Sequence, residues 1–219
     1  MAALAPSSGA SMVLSNVIVH FEPGDAPRED IEIENTGKEI LYIEVTPYEI
    51  LEPGTPNERR QKVRDPKVSG LLATPSRMVI GPGARKRLRL VNMTPDSEKE
   101  RVYRVAVTPV VGELATKQNG LKVLIGYEVL VLTQPRYPLP DVKVKRDGNR
   151  LHFENQGNTN VLLRDGHQCA NEEEAREDCV ALASRRLYPG NRWELDLPYD
   201  RPVHFHLGTG TTNTARTYP

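Results

Sequence analysis

Apolar residues in this chain recur mostly at every second position, in short runs interrupted by Gly, Pro and Asn. Ile31 and Ile33 alternate with Asp30, Glu32 and Glu34, as expected of a strand with one face in a core and one in water. Asn35-Thr36-Gly37 reads as a turn, and residues 40–50 that follow are rich in the β-formers Ile, Tyr, Val and Thr. Residues 77–80 lead into the turn Gly81-Pro82-Gly83, and 85–91 alternate basic with apolar positions. Residues 101–111 and 121–132 complete a first set of strands. A shorter second set is predicted over 142–145, 150–155, 160–164, 180–186, 192–197 and 203–207. Only 171–177 looks helical, and it is too short to stand alone. The Thr- and Gly-rich tail 208–219 is expected to be loosely ordered.

The two sets echo each other. Glu34-Asn35-Thr36-Gly37 returns as Glu154-Asn155-Gln156-Gly157, each directly after an alternating strand. Gly81-Pro82-Gly83 before Arg87-Leu88-Arg89-Leu90 returns as Tyr188-Pro189-Gly190 before Trp193-Glu194-Leu195-Asp196-Leu197. The shared order predicts an all-β chain of two immunoglobulin-like β-sandwiches, over 12–132 and 141–219. Between them, 133–140 (TQPRYPLP) holds three prolines, each lacking an amide donor and restricting its neighbour, so the segment reads as a semi-rigid linker.

Composition narrows the partners. The 219 residues carry 29 Lys+Arg against 29 Asp+Glu, which argues against nucleic acid or a membrane surface held by bulk charge. No apolar run is long enough to make a transmembrane helix. Residues 1–21 contain no Asp, Glu, Lys or Arg, but they lack the basic start and long apolar stretch of an intact signal peptide. Cys169 and Cys179 are either two buried thiols or a disulfide closing a small loop, which requires an oxidising compartment and would stabilise by roughly 2–3 kcal/mol. Their spacing does not suit zinc.

Catalytic motifs are missing: there is no GxSxG, P-loop, dinucleotide fingerprint or HExxH. His204 and His206 share a strand face but have no evident third metal ligand in sequence, and Cys169 stands two residues beyond His167. Glu172-Glu173-Glu174 reads as a solvated loop. The expectation is a protein that is not an enzyme, with no cofactor, metal or small-molecule substrate.

The most informative segment is 121–132, in which nine of twelve residues are apolar. Its odd row is Leu121, Val123, Ile125, Tyr127, Val129 and Val131, without a polar break. This row spans about 35 Å at ~3.3 Å per residue, too long for a sandwich of this size to cover. Part of it should therefore project as an apolar edge, which natural proteins leave open only when something pairs with it. Addition of the strand to a partner's sheet is one such use, worth on the order of 5–9 kcal/mol gross for three side chains.

Residues 73–76 (ATPS), Gly81-Pro82-Gly83, Arg87-Leu88-Arg89-Leu90, 100–105 (ERVYRV), the alternating strand and Pro135-Arg136 together resemble the periplasmic chaperones of the chaperone–usher pathway of pilus assembly. The resemblance covers nearly the whole chain and lies nearest the divergent, alternative or archaic branches. It implies two immunoglobulin-like domains in an L-shaped arrangement. It also implies capture of incomplete pilus (fimbrial) subunits through the strand before the linker, and delivery to an outer-membrane usher. Leu121, Val123 and Ile125 match the donor row, with Tyr127 next along it. The basic residues that anchor a subunit carboxylate in well-studied members are replaced here by Ile18 and Leu130. If 101–111 and 121–132 form a hairpin, Arg104 lies opposite roughly Val129 and becomes the candidate carboxylate anchor, with Arg89 second, because a guanidinium can bond both oxygens at once. Glu100 and Arg136 are a candidate interdomain ion pair. The expectation is a periplasmic subunit chaperone able to self-associate when free. The alternative is a structural or adhesive β-sandwich surface protein that covers its apolar strand in its own dimer.

Overall fold

The computed structural model describes residues 12–110, 124–171, 176 and 178–219, and the statements below concern those residues. The chain divides into two compact units, the first comprising Met1–Leu51, Arg60–Pro95 and Val102–Leu132, the second Glu52–Arg59, Asp96–Arg101 and Thr133–Pro219.

The first unit is a sandwich of two sheets. One takes β1 (Val13–Leu14), β3 (Arg28–Glu34), β8 (Arg85–Asn92) and β6 (Leu71–Thr74), hydrogen-bonded in that order. The other runs β2 (Ile18–Phe21), β10 (Tyr127–Thr133), β9 (Arg101–Val110), β4 (Leu41–Leu51), β5 (Arg59–Lys62), with β7 (Arg77–Ile80) also paired to β4. The period of two fixes which side faces in. Ile31, Ile33, Leu88 and Leu90 meet Ile43, Val45, Val105, Val107, Val129 and Val131 in one aliphatic core. A short helix, α1 (Pro66–Ser69), is capped by the Asp65 side chain, which accepts from the Lys67 amide, and ends at left-handed Gly70. Tyr103 crosses the core so that its hydroxyl donates to the Ser69 carbonyl at 2.8 Å.

The outer face of the first sheet is a charge ladder. Glu34, Glu32 and Asp30 of β3 stand opposite Arg85, Arg87 and Arg89 of β8. Arg85 reaches Glu32 at 3.0 Å and Glu34 at 2.9 Å, and Arg87 and Arg89 share Asp30 at 3.4 and 2.7 Å. The alternating basic and acidic positions of the sequence are thus cross-strand partners.

In the second unit, β11 (Val142–Asp147), β12 (Arg150–Asn155) and β16 (Arg192–Asp196) form one sheet. The other is ordered β14 (Val180–Ala181), β13 (Val161–Gln168), β17 (Val203–Thr209), β18 (Thr212–Tyr218), with β15 (Arg185–Leu187) also on β13. Its core is aromatic: Phe153 stacks on Trp193 at 5.1 Å and meets Phe205 and Tyr218 edge-on at 5.9 and 5.8 Å.

Several expectations change. The tail is no loose end: β17 and β18 form a hairpin through left-handed Gly210, and Tyr218 packs on the core. Residues 180–186 are not one strand but parts of β14 and β15, both paired to β13. The proline-rich stretch is held by hydrogen bonds from a turn of the second unit. Asn158 donates from Nδ2 to the Tyr137 carbonyl at 2.9 Å and accepts from the Leu139 amide at 2.6 Å. Gly157 is required there, because a Cβ would fall 2.0 Å from the Leu139 carbonyl oxygen. Most of the helical stretch expected at 171–177 lies outside the described residues, as do Leu121 and Val123.

Candidate functional site

β10 occupies an inner position of its sheet, between β2 and β9. Its odd residues Val129 and Val131 are fully buried in the core. Toward the start of the strand the same row leaves the core by steps. Tyr127 is half-buried, packs on the core and donates its hydroxyl to the Met12 carbonyl at 3.0 Å. Ile125, just ahead of the strand, is 56% exposed. The row is therefore apolar where it is covered and apolar where it is not. Tyr127 belongs to the covered part. Its ring packs on the core and its hydroxyl is engaged within its own sandwich.

The even residues of β10 face the other way. Leu130 and Leu132 are buried, and Glu128 is exposed and paired with Arg60 of β5. The Arg60 guanidinium also lies 4.8 Å from the Tyr48 ring centroid. Arg104 on β9 is the cross-strand partner of Tyr48 on β4. It is half-buried, and among the described residues no hydrogen bond or ion pair engages its guanidinium. Gly126 lies against Val107 and Thr108, and Thr133 Oγ1 bonds the Arg101 carbonyl at 3.2 Å, so Arg104 falls between these two points of β9–β10 pairing. This face thus gathers two guanidiniums, one carboxylate and a phenol ring. Sequence reasoning reached Arg104 but missed Tyr48, Arg60 and Glu128. Only Glu128 left a trace, as a charge in an otherwise apolar strand.

Arg89 is elsewhere. It sits on the opposite sheet, and its Nε and Nη2 bond the two Asp30 oxygens at 2.7 and 2.8 Å. That bond to the Arg89 guanidinium holds the Asp30 carboxyl below its ordinary value. An arginine already forked onto a carboxylate is a poor receptor for a second one.

The Glu100–Arg136 pair does not form. Glu100 Oε2 accepts from Thr159 Oγ1 at 2.6 Å and from the Asn160 amide and Nδ2 at 2.8 and 2.6 Å. Its Oε1 is buried without a hydrogen bond. Burial pushes the Glu100 carboxyl above its usual range, against the pull of these donors and of Arg186. Arg136 turns to Asp96 at 3.8 Å and to the Tyr137 ring at 5.4 Å.

Cys169 and Cys179 form a disulfide. His204 does not pair with His206 around an ion. It stacks on His167 of β13 with centroids 5.0 Å apart, and its Nδ1 lies 2.9 Å from the Thr217 hydroxyl. Burial and the neighbouring His167 lower its pKa. Among the described residues no group of three side chains is placed to hold a metal.

No family model matches the chain. Its sequence is 29% identical over 176 residues to a CS1 fimbrial protein of Escherichia coli that is named as a fimbrial subunit, covering 76% of this chain and 73% of the relative. Its structure superposes on the class 5 fimbriae chaperone CfaA with a TM-score of 0.67 and 23% identity, over 94% of this chain and 98% of that one. The fold is that of the pilus chaperones. A chain of the CsuC–CsuE chaperone–tip adhesion complex, from the archaic Csu pili of Acinetobacter baumannii, matches over 95% and 98% of the two chains with a TM-score of 0.62 and 12% identity. These matches span both units, so the likeness is to the whole two-sandwich architecture.

Proposed function

We propose that this chain is a periplasmic chaperone that captures fimbrial subunits by donor-strand complementation and passes them to an outer-membrane usher. The observation that carries the mechanism is the exit of one apolar row from the core: Val131 and Val129 buried, Ile125 56% exposed. Leu121 and Val123 continue that row in sequence. A strand lent in this way gives main-chain hydrogen bonds for affinity and alternate side chains for pockets. Arg104, half-buried and with an unengaged guanidinium beside Tyr48, is the group proposed to receive the pilin's carboxylate, with Arg60 of β5 reaching the same face across β4. The disulfide agrees with an oxidising compartment. Binding and release of a protein partner requires no catalytic group or cofactor. The self-covering surface-protein reading has no comparable support among the relatives.

Co-expression with a candidate pilin tests the proposal. The wild type should yield a one-to-one complex, and Val123→Asp with Ile125→Asp should reduce its recovery at least ~10-fold, since each change places a charge in an apolar groove. Equal recovery would sink the donor-strand mechanism. Arg104→Ala should weaken capture without changing the fold, and unchanged affinity would remove Arg104 from the site.

A further inference from the structure

We infer that the first unit carries a second docking surface, on the far side of its larger sheet from β10, for an extended segment of another protein that bears carboxylates beside apolar side chains. The surface is built where the chain passes from one sheet to the other. β7 and β8 are joined by the Gly81-Pro82-Gly83 turn but pair with β4 and β3 respectively. Between them lies an open groove of about 300 Å³ lined by Pro75, Arg77, Met78, Val79, Lys86 and Arg87.

Three of those six lining residues are cationic and none is acidic, with Lys86 and Arg87 leaving β8 on opposite faces. Their neutralisation from within is incomplete. The ladder balances three carboxylates against three arginines, but Arg85 takes both Glu32 and Glu34, which leaves Arg87 to share Asp30 with Arg89 at 3.4 Å. Arg77 reaches Glu44 only at 3.6 Å and stays almost wholly in solvent. Lys86 is exposed, and among the described residues it has no partner. In a chain of zero formal net charge, this local excess is a feature of placement rather than composition.

Beside the cations runs an apolar stripe. Val79 pairs with Tyr42 and Tyr42 with Val110, across β7, β4 and β9, and the three are 48%, 39% and 41% exposed. At ~4.8 Å between strands the stripe is roughly 10 Å long. Exposed apolar side chains scattered singly need no explanation, but a contiguous row against a charged groove does. Carboxylates fit the groove and apolar side chains fit the stripe, so charge complementarity selects an acidic, apolar-containing peptide over a nucleic acid or a basic segment. The cationic groove is three strands removed from β10 in the order β10-β9-β4-β7, and only the Val110 end of the stripe comes next to β10.

The probe is a fluorescent ten-residue peptide alternating Glu with Val and Leu, followed by anisotropy on the full chain at 50 and 200 mM salt. Two controls have Lys in place of Glu, or Glu throughout. The first peptide should bind, weaken with salt, and lose ~10-fold in affinity with Lys86→Glu and with Val79→Asp, whereas Lys86→Ala should lose ~3-fold. Thermal unfolding at the wild-type midpoint verifies the folding of each variant, and Lys86→Ala keeps the test open if the charge reversals do not fold. Absence of binding, or binding unaffected by the Lys86 variants, overturns the proposal. So does equal affinity for the all-Glu peptide, which would reduce the surface to bulk charge. A concentration-dependent dimer abolished by Val79→Asp would assign the stripe to a second copy instead and overturn it as well. Pilin capture by Lys86→Glu should match wild type, which separates failure here from failure of the donor-strand reading.

Discussion

Asn35 and Asn155 occupy the same place in two sandwiches that share little else. Each is fully buried. Asn35 Nδ2 donates to the carbonyls of Glu39 and Ile80 at 2.7 and 2.9 Å, and Asn155 Nδ2 to those of Thr159 and Leu187 at 2.8 and 2.9 Å. Each Oδ1 accepts from the glycine two residues on, Gly37 or Gly157, at 3.0 Å. Each backbone carbonyl accepts from the left-handed glycine of the facing Pro-Gly turn, Gly83 or Gly190, at 2.8 Å. One asparagine thus ties its own turn to a second turn more than thirty residues away, in both units. Around that common joint the units diverge. The first has an aliphatic core and a charge ladder, and the second has four clustered aromatic rings and a disulfide. The backbone joint sets the topology, while the means of filling the core stays free.

The largest test breaks the joint. Asn155→Ala leaves two buried carbonyls without donors, at a cost of about 2–6 kcal/mol from ~1–3 per orphaned group, while Asn35→Ala leaves one buried and one part-buried carbonyl and should fall in the lower part of that range. Each should lower the unfolding midpoint of its own unit in denaturant titration followed by hydrogen exchange. Similar losses would confirm equivalence, and a loss confined to one unit would show that the echo is only formal.

A smaller effect is expected from the feature that only the second unit has. Cys169→Ser with Cys179→Ser should cost about 2–3 kcal/mol by loop closure over a separation of ten residues. Calorimetry should show the second unit's transition moving and the first unit's unmoved. Movement of both transitions together would mean that the units do not unfold independently.

The smallest effect is one of pH. The Glu100 carboxyl is raised from its ordinary 4.5, so its contribution to the second unit is fully present below about pH 4.5 and lost as pH rises through its folded value. Asp30 in the first unit is the opposite case: it is lowered from 3.8, so its contribution is present above that pH and lost as pH falls through the folded value. Urea midpoints of wild type and Glu100→Gln, compared from pH 4 to 8, should show the wild type losing ground to the variant as pH rises. A constant difference across that range would remove Glu100 as the titrating group.

The strand pattern, the paired turns and the apolar row at 121–132 were legible because each is a local regularity: a period of two, a Gly-Pro punctuation, an unbroken run. The joint itself was half legible, since the two Asn-x-Gly signals were visible but their distant partners were not. The errors have one origin. Arg89 read as a free cation because Asp30 is 59 residues away in sequence, and Glu100 was matched with Arg136 when its donors are Thr159 and Asn160. Tyr127 shares the parity of Ile125 but packs on the core, because depth along the strand and not parity decides exposure.

By itself the sequence determined that this chain is all-β, that it is built twice over one plan, and that one of its strands is too apolar to be left bare. Those follow from alternation and turn chemistry, which act over a few residues. Only the tertiary structure decided which arginines are already engaged, where the apolar row leaves the core, and where Lys86, Arg77 and Val79 meet. Such facts depend on strands brought together from distant parts of the chain, and a charge or a methyl group takes its meaning from what then lies within a few ångströms of it.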